Sequence, residues 1–107
     1  MVEYKEELVD DVLGSMSKFK DAGFVKLKSA HRELYLKDGV PHKDDGPAGY
    51  IYDEADGTLV REVYFVNGLA HRVNGPAAVY YDHGKVVDEK YAVEGKEMSE
   101  AEFLARK

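Results

Sequence analysis

Glu33-Leu34-Tyr35-Leu36-Lys37-Asp38-Gly39-Val40-Pro41-His42-Lys43-Asp44-Asp45-Gly46-Pro47-Ala48 is answered by Glu62-Val63-Tyr64-Phe65-Val66-Asn67-Gly68-Leu69-Ala70-His71-Arg72-Val73-Asn74-Gly75-Pro76-Ala77, with an offset of 29 residues at every position. A third copy opens at Glu89-Lys90-Tyr91-Ala92-Val93-Glu94-Gly95-Lys96, offset by 27 from the second, and stops before any His or Gly-Pro. Within each copy a short apolar and aromatic run meets Asp-Gly, Asn-Gly or Glu-Gly. Asn-Gly and Asp-Gly are the strongest two-residue hairpin signals, because a type I′ turn needs positive φ at both central residues. The pattern therefore predicts an antiparallel β-meander of repeated hairpins. Strands are expected at 33–37, 48–52, 58–66, 77–81 and 85–93, with brief extended pieces at 40–42, 69–71 and 96–98. The two-residue difference between the offsets falls in a loop, where Asp53-Glu54-Ala55-Asp56-Gly57 stands against Asp82-His83-Gly84. A length change confined to a turn preserves strand register.

Outward from the repeats, Tyr4, Leu8, Val12, Met16 and Phe19 are spaced four, four, four and three apart. That interval predicts an amphipathic N-terminal helix over roughly 2–22, with acids at its front, Lys18 and Lys20 at its end, Gly23 as C-cap and Gly14 as a possible bend. At the other end, Ser99 followed by Glu102 has the form of a capping box, with Met98 and Phe103 placed as a hydrophobic staple. A short C-terminal helix should follow. The fold class is thus α+β, a single domain over 1–107, divided into an N-terminal helical segment (1–30), β-hairpin repeats (31–98) and a C-terminal capping helix (99–107).

Strand alternation puts Val60, Glu62, Tyr64 and Val66 on one face, matched by Val87, Glu89, Tyr91 and Val93, and puts Leu59, Arg61, Val63 and Phe65 on the other. The first face keeps its chemistry between copies and reads as structural, Tyr stacking on Tyr from repeat to repeat. The second varies and reads as the working surface. Gly-Pro-Ala is a backbone corner: Pro fixes φ, and Gly takes the extreme conformation the corner requires. A phosphate-cradling role does not fit, since a Pro removes one N–H and a strand follows. His42 and His71 lie two strands apart, roughly 10 Å, too far to share one zinc, and they read as turn residues bonded to backbone or to Glu62 or Glu89. His31 and His83 read as surface residues. The serines lie outside the repeats, so no nucleophilic triad suggests itself.

The chain has 107 residues, 44% hydrophobic and 34% charged, with no Cys and a net charge of −6. Five of those six negative charges belong to 31–98 (eight bases against thirteen acids). An acidic body repels a phosphate backbone, which disfavours direct nucleic-acid binding. No apolar run has membrane-spanning length, and the absence of Cys suits a cytoplasmic address.

The run His-Arg/Lys-x-x-Gly-Pro-Ala, followed by a Gly turn and a Glu-x-Tyr strand, resembles repeat proteins encoded by tailed bacteriophages and large DNA viruses, which often close with a helix of the form seen from Gly95 to Phe103. The resemblance spans roughly 33–104. It is also similar, more distantly, to MORN repeats, although those are shorter and lack the His-Arg and Gly-Pro-Ala signature. It implies a small phage or prophage accessory protein, acting in the bacterial host cell on a host protein such as a defence or transcription factor. The sequence thus points to a non-enzymatic protein-binding module with no cofactor and no metal, its surface formed by Arg61, Phe65, Asp53, Glu54, Asp56, Asp88 and Glu94. Two other readings are an acidic DNA mimic that inhibits a nucleic-acid-binding enzyme, diluted by interspersed Lys and Arg, and a structural or assembly protein that self-associates as a homo-oligomer.

Overall fold

In a computed structural model the described residues are 2–106; Met1, which opens the expected N-terminal segment, and Lys107, which ends the expected C-terminal helix, lie outside them. The backbone forms β1 (Lys5–Leu8), α1 (Val12–Ser15), a 3-10 turn (Met16–Phe19), β2 (Phe24–Lys28), β3 (Arg32–Lys37), β4 (Val40–Pro41), β5 (Gly49–Tyr52), β6 (Leu59–Val63), β7 (Phe65–Val66), β8 (Leu69–Ala70), β9 (Ala78–Asp82), β10 (Lys85–Val93), β11 (Lys96–Met98) and α2 (Glu100–Ala105). One nine-stranded sheet runs β1-β2-β3-β5-β6-β9-β10-β11, with β4 beside β3, and β7 with β8 forms a separate hairpin. All pairings are antiparallel except β1 with β2, which is parallel, so the sheet is mixed rather than the purely antiparallel meander the repeats suggest.

The hairpin turns form as their residues require. Asp38, Asn67, His83 and Glu94 take φ of 48°, 51°, 47° and 50°, and the glycine after each lies between 82° and 84°. Each long strand then changes partner at its repeated tyrosine. Leu34 of β3 pairs with β5 while Leu36 pairs with β4. Val63 pairs with β9 and Phe65 with β8. On β10, Lys90 pairs with β9 and Tyr91 with β11. At the switch, Tyr35 and Tyr64 each donate their N–H to the alanine of Gly-Pro-Ala (2.7 Å) and accept from the following histidine N–H (3.0 Å). The expected single strand 58–66 is for this reason two strands, broken at Tyr64. A register shift between Val86 and Asp88 also breaks the expected alternation at Val87.

The N-terminal expectation needs correcting. Instead of one helix over 2–22 there is an edge strand, one turn of α-helix and a 3-10 turn, and 24–28 is a strand inside what reads as a helical segment. Two competitors win over the helical spacing. Lys5–Leu8 satisfies its backbone groups on the edge of β2, and the Asp11 side chain accepts from the Gly14 N–H (3.1 Å), starting a helix there. The apolar stripe is consequently split across the sheet. Tyr4 packs edge-on against Tyr35 (4.8 Å) and Phe24 (5.4 Å). Val12, Met16 and Phe19 instead pack on Val25, Leu27, Leu34 and Leu36, and this is the hydrophobic core.

At the other end α2 forms as expected. The Ser99 side chain accepts from Glu102 N–H and the Glu102 side chain accepts from Ser99 N–H. No helix among the described residues is long and apolar enough to cross a membrane.

Candidate interaction surface

The tyrosine-bearing face is internally committed. Lys43 Nζ lies 3.9 Å from the centre of the Tyr35 ring, and the Arg72 guanidinium lies 4.0 Å from that of Tyr64. Where a third cation would lie, the C-terminal helix brings Phe103 against Tyr91 at 4.8 Å. The expected Tyr-on-Tyr stack between repeats does not form, because equivalent tyrosines stand two strands, about 10 Å, apart and rings interact at about 4.5–7 Å. The glutamates of the same face take tyrosine hydroxyls: Tyr52 donates to Glu33 (3.5 Å) and Tyr81 to Glu62. The bond to Glu62 pushes the Tyr81 hydroxyl up to about 12, since ionisation would set two anions side by side. Lys26 completes the set with an ion pair to Glu33 at 3.3 Å.

His42 and His71 join one repeat to the next. His42 Nδ1 accepts from Asn67 N–H and His71 Nδ1 accepts from Glu94 N–H, both at 2.9 Å. The bonds run to backbone and not to Glu62 or Glu89. An accepting Nδ1 places the ring proton on Nε2, which in His42 then donates toward Asp44 Oδ2 at 3.3 Å. The neighbouring Gly-Pro-Ala corner also has a reason other than the one its sequence suggests. Neither Gly46 nor Gly75 has positive φ; a Cβ on Gly75 would meet the Arg72 guanidinium carbon at 2.9 Å. That glycine makes room for the cation lying on Tyr64.

The opposite face is different in kind. Its first part, over β2 and β3, is covered by α1 and the 3-10 turn. Beyond that cover are two adjoining grooves. The first, about 300 Å³, is bounded by Leu13 and Met16 on one side and floored by Leu34, Ile51, Val63 and Phe65, with Arg32 and Arg61 at its rim. The second, about 240 Å³, lies one repeat further along, floored by Val63, Ala78, Tyr80 and Ala92, with Arg61 and Lys90 beside it. The grooves are repeat-equivalent: Arg61, Val63, Ala78 and Tyr80 stand 29 residues after Arg32, Leu34, Gly49 and Ile51. Arg61 sits over the Tyr80 ring (5.0 Å), and its Nε is shielded from solvent with no hydrogen-bond partner among the described residues. A buried donor left unpaired costs about 1–3 kcal/mol. A larger cleft of about 660 Å³ lies between the 43–47 and 71–74 loops; its cations lie closer on their rings than Arg61 does on Tyr80, and Arg72 also donates to Asn74 and to the Pro76 carbonyl.

The residues singled out from sequence fall into three places. Arg61 and Phe65 share the open face and line both grooves, and Asp88 is in register with Tyr80 there, ion-paired to Lys90 at 3.4 Å. Asp53, Glu54 and Asp56 cluster in the loop at one end of the sheet. Asp53 Oδ1 accepts from the Ala55 and Asp56 N–H groups, and Asp56 Oδ1 accepts from the Thr58 N–H and hydroxyl. Asp56 Oδ2 meets His83 Nε2 at 2.8 Å, and Asp82 Oδ1 meets His83 Nδ1 at 2.7 Å. The Thr58 bonds, with His83, hold the Asp56 carboxyl down at about 2, and the two aspartates hold the His83 pKa above its ordinary value. Glu94 lies at the opposite end, in a turn whose N–H serves His71. Arg32 and Tyr80 were missed by the sequence reading; Arg32 was legible as the counterpart of Arg61, one residue before the first repeat as quoted. No protein-family model, curated protein or solved structure matches this chain.

Proposed function

We propose that this chain is a non-enzymatic protein-binding module whose working surface is the open sheet face built around Arg61 and Phe65. The observation that carries this reading is the half-covered sheet. An apolar sheet face is stable when another layer buries it, and here the chain supplies that layer over β2 and β3 only, leaving two contiguous apolar grooves rimmed by arginine. The committed face opposite, with its cations on tyrosines and its glutamates on hydroxyls, has fewer groups to offer a partner. Glu54 adds an exposed carboxylate at one end of the sheet. A phage or prophage accessory protein acting on a host protein in the bacterial cytoplasm is the setting that the repeat motif suggests. The DNA-mimic alternative needs an unbroken carboxylate array, and Lys26, Lys43 and Arg72 interrupt the face where Glu33 and Glu62 lie.

The test is affinity capture from bacterial lysate with tagged wild-type protein and with Arg61→Glu and Phe65→Ala variants, read by mass spectrometry beside thermal melts of each variant. One stoichiometric protein, retained by wild type and lost by both folded variants, is the expected result. Capture unaffected by either substitution rules out this face.

A further inference from the structure

Resting on the binding-module reading, we infer that the open face receives a short helical segment of a partner protein, acidic near its apolar residues, lying beside α1 as an additional helix on the sheet. Three observations converge on that occupant. The first is spacing. Neighbouring repeats stand two strands apart, about 10 Å, and packed helices sit about 8–10 Å axis to axis. The pitch of the repeats is thus the pitch of a helical layer. The groove beside α1 begins at Leu13, 55% exposed, and at Met16, so one wall of the vacant place is itself a helix.

The second is an internal precedent. The chain fills the preceding place on the same face with its own segment, Val12, Met16 and Phe19 at intervals of four and three, seated on Val25, Leu27, Leu34 and Leu36. Asp10 and Asp11 immediately precede that apolar series. The next place along has the same kind of floor in Leu34, Ile51, Val63 and Phe65, which suits apolar side chains one helical turn apart.

The third is charge. In a chain of net charge −6, the two arginines at the rim, Arg32 and Arg61, have no carboxylate partner among the described residues. They stand in cross-strand register on either side of Ile51. The Arg61 Nε donor is already out of water and unpaired. Guanidinium groups flanking an apolar floor select carboxylates flanking apolar side chains. A basic amphipathic segment would bring like charges together on a desolvated surface.

The experiment is selection against the immobilised full chain with a display library of peptides long enough for about four helical turns, followed by binding measurements with synthetic copies of the enriched peptides. Enriched peptides should carry apolar residues at i and i+4 with Asp or Glu within a turn of them, and should gain helical circular dichroism when bound. Their affinity should fall by at least about tenfold for Arg61→Glu and for Phe65→Ala, and recover in large part for Arg61→Lys; thermal melts show whether each variant is folded. Should Arg61→Glu not fold, Arg32→Glu, at the same rim, carries the same expectation. Enrichment of basic peptides, binding indifferent to these substitutions, binding without helix formation, or no enrichment at all overturns the inference. So does dimerisation of the chain through this face, seen as a doubled mass that the Arg61 variant abolishes, since the occupant would then be a second copy. If lysate capture still yields a partner sensitive to Arg61 and Phe65 while the selection fails, the helical acidic occupant is wrong and the binding-module reading stands. If both fail, both fall.

Discussion

His42 is 4% exposed, and its ring is held between Asp44 and the Asn67 N–H of a different hairpin from its own. His42→Ala removes the acceptor of the Asn67 N–H and leaves a void, so it should destabilise the fold by about 1–3 kcal/mol, measured by urea unfolding. Hydrogen exchange should show the Asn67 amide losing protection. His83 works at the fully exposed end of the sheet, where the effect depends on pH. Its pKa is raised above 6.5 by Asp82 and Asp56, so its contribution is complete below about 6.5 and disappears as pH rises through the elevated value. The Asp56 contribution runs the other way, present above 3.8 and lost as pH falls toward about 2. Both are in place from about pH 4 to 6.5, and His83→Asn should lower the melting temperature more at pH 5 than at pH 8, by a small amount suited to an exposed ion pair. Equal shifts at the two pH values would show that the His83 charge contributes nothing.

Among the elements, the hairpin glycines separate backbone demand from packing. All of Gly39, Gly68 and Gly84 need positive φ, but a Cβ on Gly84 meets open space, one on Gly68 makes ordinary contact with Val40 at 3.4 Å, and one on Gly39 approaches the Lys20 backbone at 2.9 Å. Alanine at Gly84 or Gly68 should therefore cost about 1–2 kcal/mol from the left-handed backbone alone. Gly39→Ala should cost clearly more, because it also lifts the first hairpin off the segment that carries the core. Denaturant midpoints of the three variants give the order. Gly49→Ala tests a different constraint, since its Cβ would lie 2.8 Å from Val63 Cγ2; overpacking predicts a loss of about 1–3 kcal/mol. These elements also show how far sequence carries. Asp38-Gly39, Asn67-Gly68 and the Ser99 capping box were legible because local chemistry decides them. The segment 2–22 was not. Its helical spacing is real at Val12, Met16 and Phe19, but whether Lys5–Leu8 continues the helix or joins β2 is settled by a distant pairing, and the short alternation Val25-Lys26-Leu27-Lys28 that marks β2 falls within what reads as the helical segment. Arg61 and Phe65 were legible as a varying pair on one face, whereas the extent of α1, which decides how much of that face stays open, depends on the same lost boundary.

At the scale of the molecule, the sheet is a graded array closed differently at its two ends. The large aliphatic core lies under α1, and the far end depends on Phe103, 4% exposed, against Tyr91, with Arg106 over the Phe103 ring (4.6 Å) and donating to the Val73 carbonyl (2.9 Å). Phe103→Ala should cost about 3–5 kcal/mol and loosen α2 from Tyr91 of β10, baring apolar surface beside β11, whose outer edge pairs with no strand among the described residues and then invites chain-to-chain pairing. Size-exclusion chromatography with light scattering should show concentration-dependent oligomers for that variant. A monomer with unchanged stability would mean that α2 is dispensable to the array.

The histidine bonds give this array a direction. Each runs from a unit to the turn of the unit after it, from His42 to Asn67 and from His71 to Glu94. Dismantling from the C-terminal side frees an imidazole lone pair that water readily serves, while dismantling from the N-terminal side strips turns of their acceptors and removes the core as well. The chain should come apart like a zip with one working end, shedding its third repeat, then its second, while 24–42 holds. Genetic change meets the same asymmetry: a copied repeat inserted after Ala77 finds its histidine socket already built, but one placed before Glu33 would separate Val25 and Leu27 from Leu34 and Leu36, with which they form the core.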